Sequence, residues 1–167
     1  MFFMKKLINS KKNIAVFVDG PNMLRKELNI DLRQIKDILK EYGNIRIGKV
    51  FLNQFAPTKL SEAVVNQGFQ VETSVGDVDV MMAVDATYTA FNKNIDIICM
   101  VTRDSDFIPA IQKAKSLGKE TIAILVDESS AAALKNTVDY IIILNKSQNN
   151  NQKNNYNNNN NNNRNRR

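Results

Sequence analysis

From residue 14 to residue 144 the chain alternates short apolar runs with segments of helical period, and this alternation constrains the fold most. The runs are IAVFV at 14–18, IRIGKVFL at 45–52, FQVE at 69–72, IDIICMV at 95–101, TIAILV at 121–126 and YIIIL at 140–144. A strand buried on both faces reads as a near-continuous apolar stretch, because neither side of its pleat meets water. Between the runs, segments 31–42, 58–67, 78–91, 106–117 and 129–137 carry helical patterns. In the first, Leu32, Ile35 and Leu39 share one face behind a capping Asp31. Gly43, Gly68 and Gly118 stand where three of these helices should stop. The alternation predicts an α/β domain of three layers, Rossmann-like, with a mainly parallel sheet covered by helices on both faces.

Charge divides the chain into three parts. Residues 1–12 carry four lysines and no acid, and residues 145–167 carry five Lys/Arg and no acid. The 132 residues between them hold 14 basic and 17 acidic side chains, a net charge of −3. Residues 13–144 are therefore read as one domain behind a basic N-terminal extension. The Asn-rich segment 145–167 is read as a disordered basic tail, since it has almost no apolar surface to offset its ordering entropy. Basic ends on a mildly acidic domain suit a protein that holds a polyanion near carboxylates. A merely solubilising tail explains the charge equally well.

The longest apolar runs are too short to span a bilayer, and residues 1–12 lack the apolar core of a secretory signal. Cys99 is the single cysteine, set in an apolar run. That pattern fits a buried structural thiol in a reducing cytoplasm.

The chain contains no histidine. Ser-His-Asp triads, Cys-His dyads and His-ligated zinc are excluded together, and one cysteine cannot build a Cys-rich zinc site. Hydrolytic chemistry here must rest on carboxylates, most simply around a hard cation.

The acids stand where such chemistry would need them. Asp19 directly follows the first run, Asp104 and Asp106 follow the fourth, and Asp77 and Asp79 open the helix at 78–91. In open parallel sheets ligands bind beyond the carboxyl ends of the strands, where strand order reverses. If the first and fourth strands are neighbours there, these carboxylates share one crevice. Asp79 lies on the face of Ala83 and Ala86, whereas Asp85 points about 120° away from it. Asp77 reads better as a helix cap, and Asp85 as a solvated or locally paired side chain. Taken singly, Asp106 could cap its helix, Asp19 could be a turn aspartate, and Asn22 could cap a short helix at 22–28. Several aspartates at one end of one sheet are better explained by a site. Clustered charges should also strain the cation-free protein, so Asp19→Asn and Asp104→Asn are each expected to stabilise it.

FVDGPNM at 17–23, GDVDVMMAVD at 76–85 and VTRDSDFIPAI at 101–111 together resemble the NYN domain, a branch of the PIN-like metal-dependent nucleases. The resemblance spans about residues 13–144, with the motifs in the family's order. It implies Asp19, Asp79, Asp104 and Asp106 as an acidic cluster holding Mg²⁺ or Mn²⁺, with Asn22 orienting it. It further implies a ribonuclease hydrolysing RNA phosphodiester bonds. The family's helix motif commonly opens Lys-Gly, and Val75 takes the lysine's place here, which implies a weaker hold on substrate phosphate. The alternative is a catalytically inactive RNA-binding relative. A haloacid-dehalogenase-like phosphatase would want a second aspartate at position 21, where Pro21 stands. A nucleotide-binding module would want a glycine-rich phosphate loop, which the chain lacks. RNA against DNA, one metal against two, and the oligomeric state, homodimer included, stay open at this level.

Overall fold

A computed structural model describes residues 11–24, 30–126 and 132–144. The tail at 145–167 and residues 1–10 of the basic extension lie outside the described residues. The elements run in the order β1 (Lys12–Asp19), α1 (Gly20–Met23), α2 (Leu32–Leu39), β2 (Gly43–Asn53), α3 (Thr58–Asn66), β3 (Gln70–Ser74) and α4 (Val78–Ala90). There follow β4 (Ile97–Val101), a 3₁₀ turn (Ser105–Phe107), α5 (Ile108–Ser116), β5 (Glu120–Leu125), α6 (Ala132–Thr137) and β6 (Tyr140–Ile143).

The six strands form one sheet in the order β3-β2-β1-β4-β5-β6, and every neighbouring pair is parallel. The expected three-layer α/β architecture is present. Along β1, Ile14, Val16 and Val18 face one core while Ala15 and Phe17 face the other. Strands β4 and β5 divide the same way, with Ile97, Cys99, Val101, Ile122 and Ile124 on the first side. α2 and α3 close that side through Leu32, Ile35, Leu39 and Val64. α4, α5 and α6 close the other through Met82, Ala86, Ile111, Ala114 and Leu134. Full burial of each large aliphatic or aromatic side chain contributes about 1.5–3 kcal/mol, so this double-sided packing holds the sheet together.

Burial raises the pKa of the Cys99 thiol, which behaves as a small core hydrophobe. Gly68 and Gly118 adopt φ of +81° and +80°, closing the segments after α3 and α5 as expected. Gly43 differs: it is the first residue of β2, and the segment read as a helix over 31–42 is helical only to Leu39 before three turn residues. The basic extension read over 1–12 also loses its last residue to the sheet, because Lys12 opens β1 and pairs with Glu120.

Two features of the topology position a site. The chain builds outward from β1 through β2 to β3, then returns to β4 and builds the other way, so the strand order reverses between β1 and β4. α4 makes that return. It packs across β2 and β1 and against α5, which carries its first turn over the carboxyl ends of the central strands.

Candidate carboxylate site

The crevice is built from the carboxyl ends of β1 and β4. Val18 pairs in register with Val101, so the next residues, Asp19 and Thr102, emerge side by side. Asp19 is 0 % exposed, and both its oxygens are occupied. Oδ1 accepts from the Asn22 backbone N–H at 3.2 Å. Oδ2 accepts from Asn22 Nδ2 at 2.7 Å and from the Thr102 hydroxyl at 2.9 Å. The cap of α1 is therefore Asp19, and Asn22 lies inside the helix, not at its cap. Asn22 instead orients the carboxylate with its own amide.

Gly20 makes this tight entry feasible. A Cβ there would stand 2.4 Å from both the Phe51 carbonyl oxygen and Leu52 Cδ2. The carbonyl belongs to a strand and cannot yield cheaply. Glycine at this position thus lets α1 begin close against β2.

Thr102 is the residue that sequence reasoning missed. Besides holding Asp19, its Oγ1 accepts the Asp104 backbone N–H at 3.1 Å. The signal was visible as a hydroxyl at the end of an apolar strand run, since a buried hydroxyl needs partners. Asp104 in turn caps the 3₁₀ turn, with Oδ1 accepting from the Asp106 N–H at 2.9 Å. The capping reading considered for Asp106 belongs to Asp104.

Asp79 comes from the first turn of α4, behind Asp77. Asp77 is the helix cap, accepting from the Asp79 N–H at 2.9 Å. Burial, followed by the charges of Asp19, Asp104, Asp77 and Asp106, pushes the Asp79 carboxyl up to about 6. That influence brings the four expected acids into one electrostatic neighbourhood. They grade outward from buried Asp19 through half-buried Asp79 and Asp104 to exposed Asp106. Among the described residues none of the four belongs to an ion pair. Asp85 is locally paired: Lys49 bridges it at 2.7 Å and Glu72 at 3.1 Å. Burial opposes the Lys49 charge, but the bonds to Asp85 and Glu72 outweigh it and raise its pKa.

The donor set is entirely carboxylate oxygen, the chemistry that suits a hard cation and excludes soft-ligand metals. Among the described residues no three His, Cys, Asp or Glu side chains stand close enough to form a ready cage. A hard cation that keeps several waters needs only one or two carboxylates from the protein.

Comparison with known proteins gives three findings. The NYN domain family model matches residues 13–145. A protein of Methanocaldococcus jannaschii, described only as uncharacterized, is 59% identical over 129 residues, covering 77% of this chain and 54% of its own length. The chain thus spans about half of that curated relative. A crystal structure of a Vibrio parahaemolyticus protein of unknown function superimposes with a TM-score of 0.72 at 19% identity, covering 83% of this chain and 96% of that one. This last likeness concerns the fold. Among the described residues no helix is long and apolar enough to cross a membrane.

Proposed function

Because the chain belongs to the NYN-domain family, whose members are generally PIN-like nucleases, we propose that the crevice between β1 and β4 is a metal-dependent ribonuclease centre. The observation that carries this reading is the gathering of Asp19, Asp79, Asp104 and Asp106 from three chain segments around the strand-order reversal, without a cation to pair them among the described residues. Such an arrangement is costly unless something positive completes it.

Asp79 and Asp104, half-buried and flanking the crevice, would hold Mg²⁺ or Mn²⁺, with exposed Asp106 adding negative charge at the rim. Asp19 forms the floor, and Asn22 and Thr102 fix its carboxylate so that its charge cannot swing away. A bound divalent ion supplies a nucleophile from water at neutral pH and neutralises charge on the phosphate oxygens. The protein's own part is to place the carboxylates and exclude bulk water beneath Asp19. No side-chain nucleophile is required, which suits a chain without histidine.

The test is incubation of labelled RNA and single-stranded DNA with wild type and Asp104→Asn, with and without Mn²⁺. RNA cleavage that needs the ion and falls at least about 100-fold in the variant is expected, since removal of a charge-stabilising group typically costs that much. RNA binding without ion-dependent cleavage selects the second reading, an inactive RNA-binding relative. That reading draws support from the absence of a ready cation cage among the described residues and from Val75 in the motif's lysine position.

A further inference from the structure

α4 is apolar on two opposite faces. Val78, Met82, Ala86 and Ala90 recur in steps of four and pack against the sheet. Val80, Val84 and Tyr88 recur in the same steps on the far side, where they are 60%, 64% and 79% exposed, and Phe91 just past the helix is 58% exposed. A helix on the surface of a domain ordinarily turns polar groups to water there. Beside this stripe lies a groove of about 610 Å³ between α4 and α5, with Asp106 at one end and Lys113 at the other. Lys113 Nζ stands 5.6 Å from the centre of the Phe91 ring.

We propose that this face joins two copies of the chain in an antiparallel two-fold dimer. A two-fold interface is self-complementary, with residue i meeting j and j meeting i. The stripe has that symmetry: Val84 lies midway between Val80 and Tyr88, so an axis through Val84 sets each Val80 against the partner's Tyr88. The charges agree with the same axis. Asp106 and Lys113 mark opposite ends of the groove, so reversing one copy brings each Lys113 towards the partner's Asp106. The area is of the right order too. Taking about 200 Å² for an aromatic side chain and somewhat less for valine, the exposed parts of the four side chains present roughly 400 Å² per copy. That is about half of the ~800 Å² a standard interface takes from each partner, before the groove walls are counted. A nucleic-acid strand suits the face less well, because Val80 and Val84, half of its exposed side chains, offer no ring for a base to stack on. A strand also needs a cationic track, and Lys113 is the only cation among the groove's lining residues.

Sedimentation equilibrium of the full chain from about 1 to 100 μM tests the dimer, comparing wild type with Val84→Arg and with Val65→Arg on α3. Wild type and Val65→Arg should be dimers in the micromolar range. Val84→Arg places two arginines face to face on the axis and should weaken dimerisation by about 100-fold or more. Because Val84 is exposed, its melting profile measured below the dimer dissociation constant should match wild type. Val84→Cys should form a disulfide-linked dimer on mild oxidation, while Val65→Cys should not. A wild type that stays monomeric throughout, or a Val84→Arg dimer as tight as wild type, overturns the proposal. So does a monomeric wild type whose affinity for single-stranded RNA falls with Tyr88→Ala, which would assign the face to nucleic acid.

Discussion

The Thr102 hydroxyl donates to Asp19 Oδ2 at 2.9 Å, tying the carboxyl end of β4 to that of β1 where the strand order reverses. The hydroxyl oxygen, Thr102 Oγ1, also accepts the Asp104 N–H. One buried hydroxyl therefore couples the floor acid to the loop bearing Asp104 and Asp106. Thr102→Val keeps the shape and removes both bonds. We expect a loss of about 1–3 kcal/mol, from a donor lost to a buried carboxylate and an N–H left short of a partner. Ion-dependent activity should fall with it, and Thr102→Ser should restore most of both. A Thr102→Val protein with wild-type melting and turnover would remove Thr102 from the site.

Asp79 makes the folded state sensitive to pH in a defined direction. Its carboxyl titrates at about 6 in the folded protein against an ordinary value of 3.8. Between these values the folded state binds more protons than the unfolded one, so this group's contribution to stability rises as pH falls through about 6 and levels off below about 4. At pH 7 it is a net penalty, about 1–2 kcal/mol once solvent screening of a partly exposed group is allowed for. Asp79→Asn should melt about 3–6 °C above wild type at pH 7 without divalent ions, and the gap should close towards pH 4. A gap that is absent, or that ignores pH, would mean that burial and the neighbouring acids do not strain Asp79.

Asp19 should behave in the opposite way, against the expectation from the sequence that Asp19→Asn relieves strain. Its carboxylate accepts three hydrogen bonds in a fully buried position. Asparagine can reproduce only one of the two acceptor oxygens, so its amide must confront either the Asn22 N–H or the Asn22 and Thr102 donors. Asp19→Asn should lower stability by about 1–2 kcal/mol at pH 7 through the lost cap and a donor facing a donor. Urea unfolding of both variants side by side is the measurement. An Asp19→Asn protein more stable than wild type would show that charge relief outweighs the cap.

The five Lys/Arg of residues 145–167 predict a salt effect that needs no structural argument. Deleting the segment should weaken RNA binding most at low salt and reduce the slope of log affinity against log salt by up to about 3.5, at about 0.7 per single-strand phosphate contact. Turnover at saturating RNA should change little. Loss of turnover at saturation would place part of the site in the segment.

Much of the fold was legible because strand burial and helix period are local patterns. All six apolar runs became strands, and Gly68 and Gly118 closed their helices through a backbone conformation that glycine favours. Caps and glycine roles were less legible where a distant strand decides them. Gly43 reads locally as a helix stop, yet it belongs to β2 beside β1. Asp19, Asn22, Asp104 and Asp106 are all plausible caps by residue type. Which two serve depends on where the backbone N–H groups point, and Asp19 and Asp104 took that role.

By itself the sequence determined the alternation of strands and helices, the acids at the strand ends, and the absence of histidine chemistry, since each depends on residue identity and short-range spacing. Only the tertiary structure decided that β1 and β4 are neighbours, that Asp19 lies deepest, and that Thr102 holds it. Those facts rest on desolvation and hydrogen bonds between residues 83 positions apart. The second apolar face of α4 was likewise written in the sequence, as Val80, Val84 and Tyr88. Its exposure was not, because an apolar helix reads the same whether buried on one side or on two.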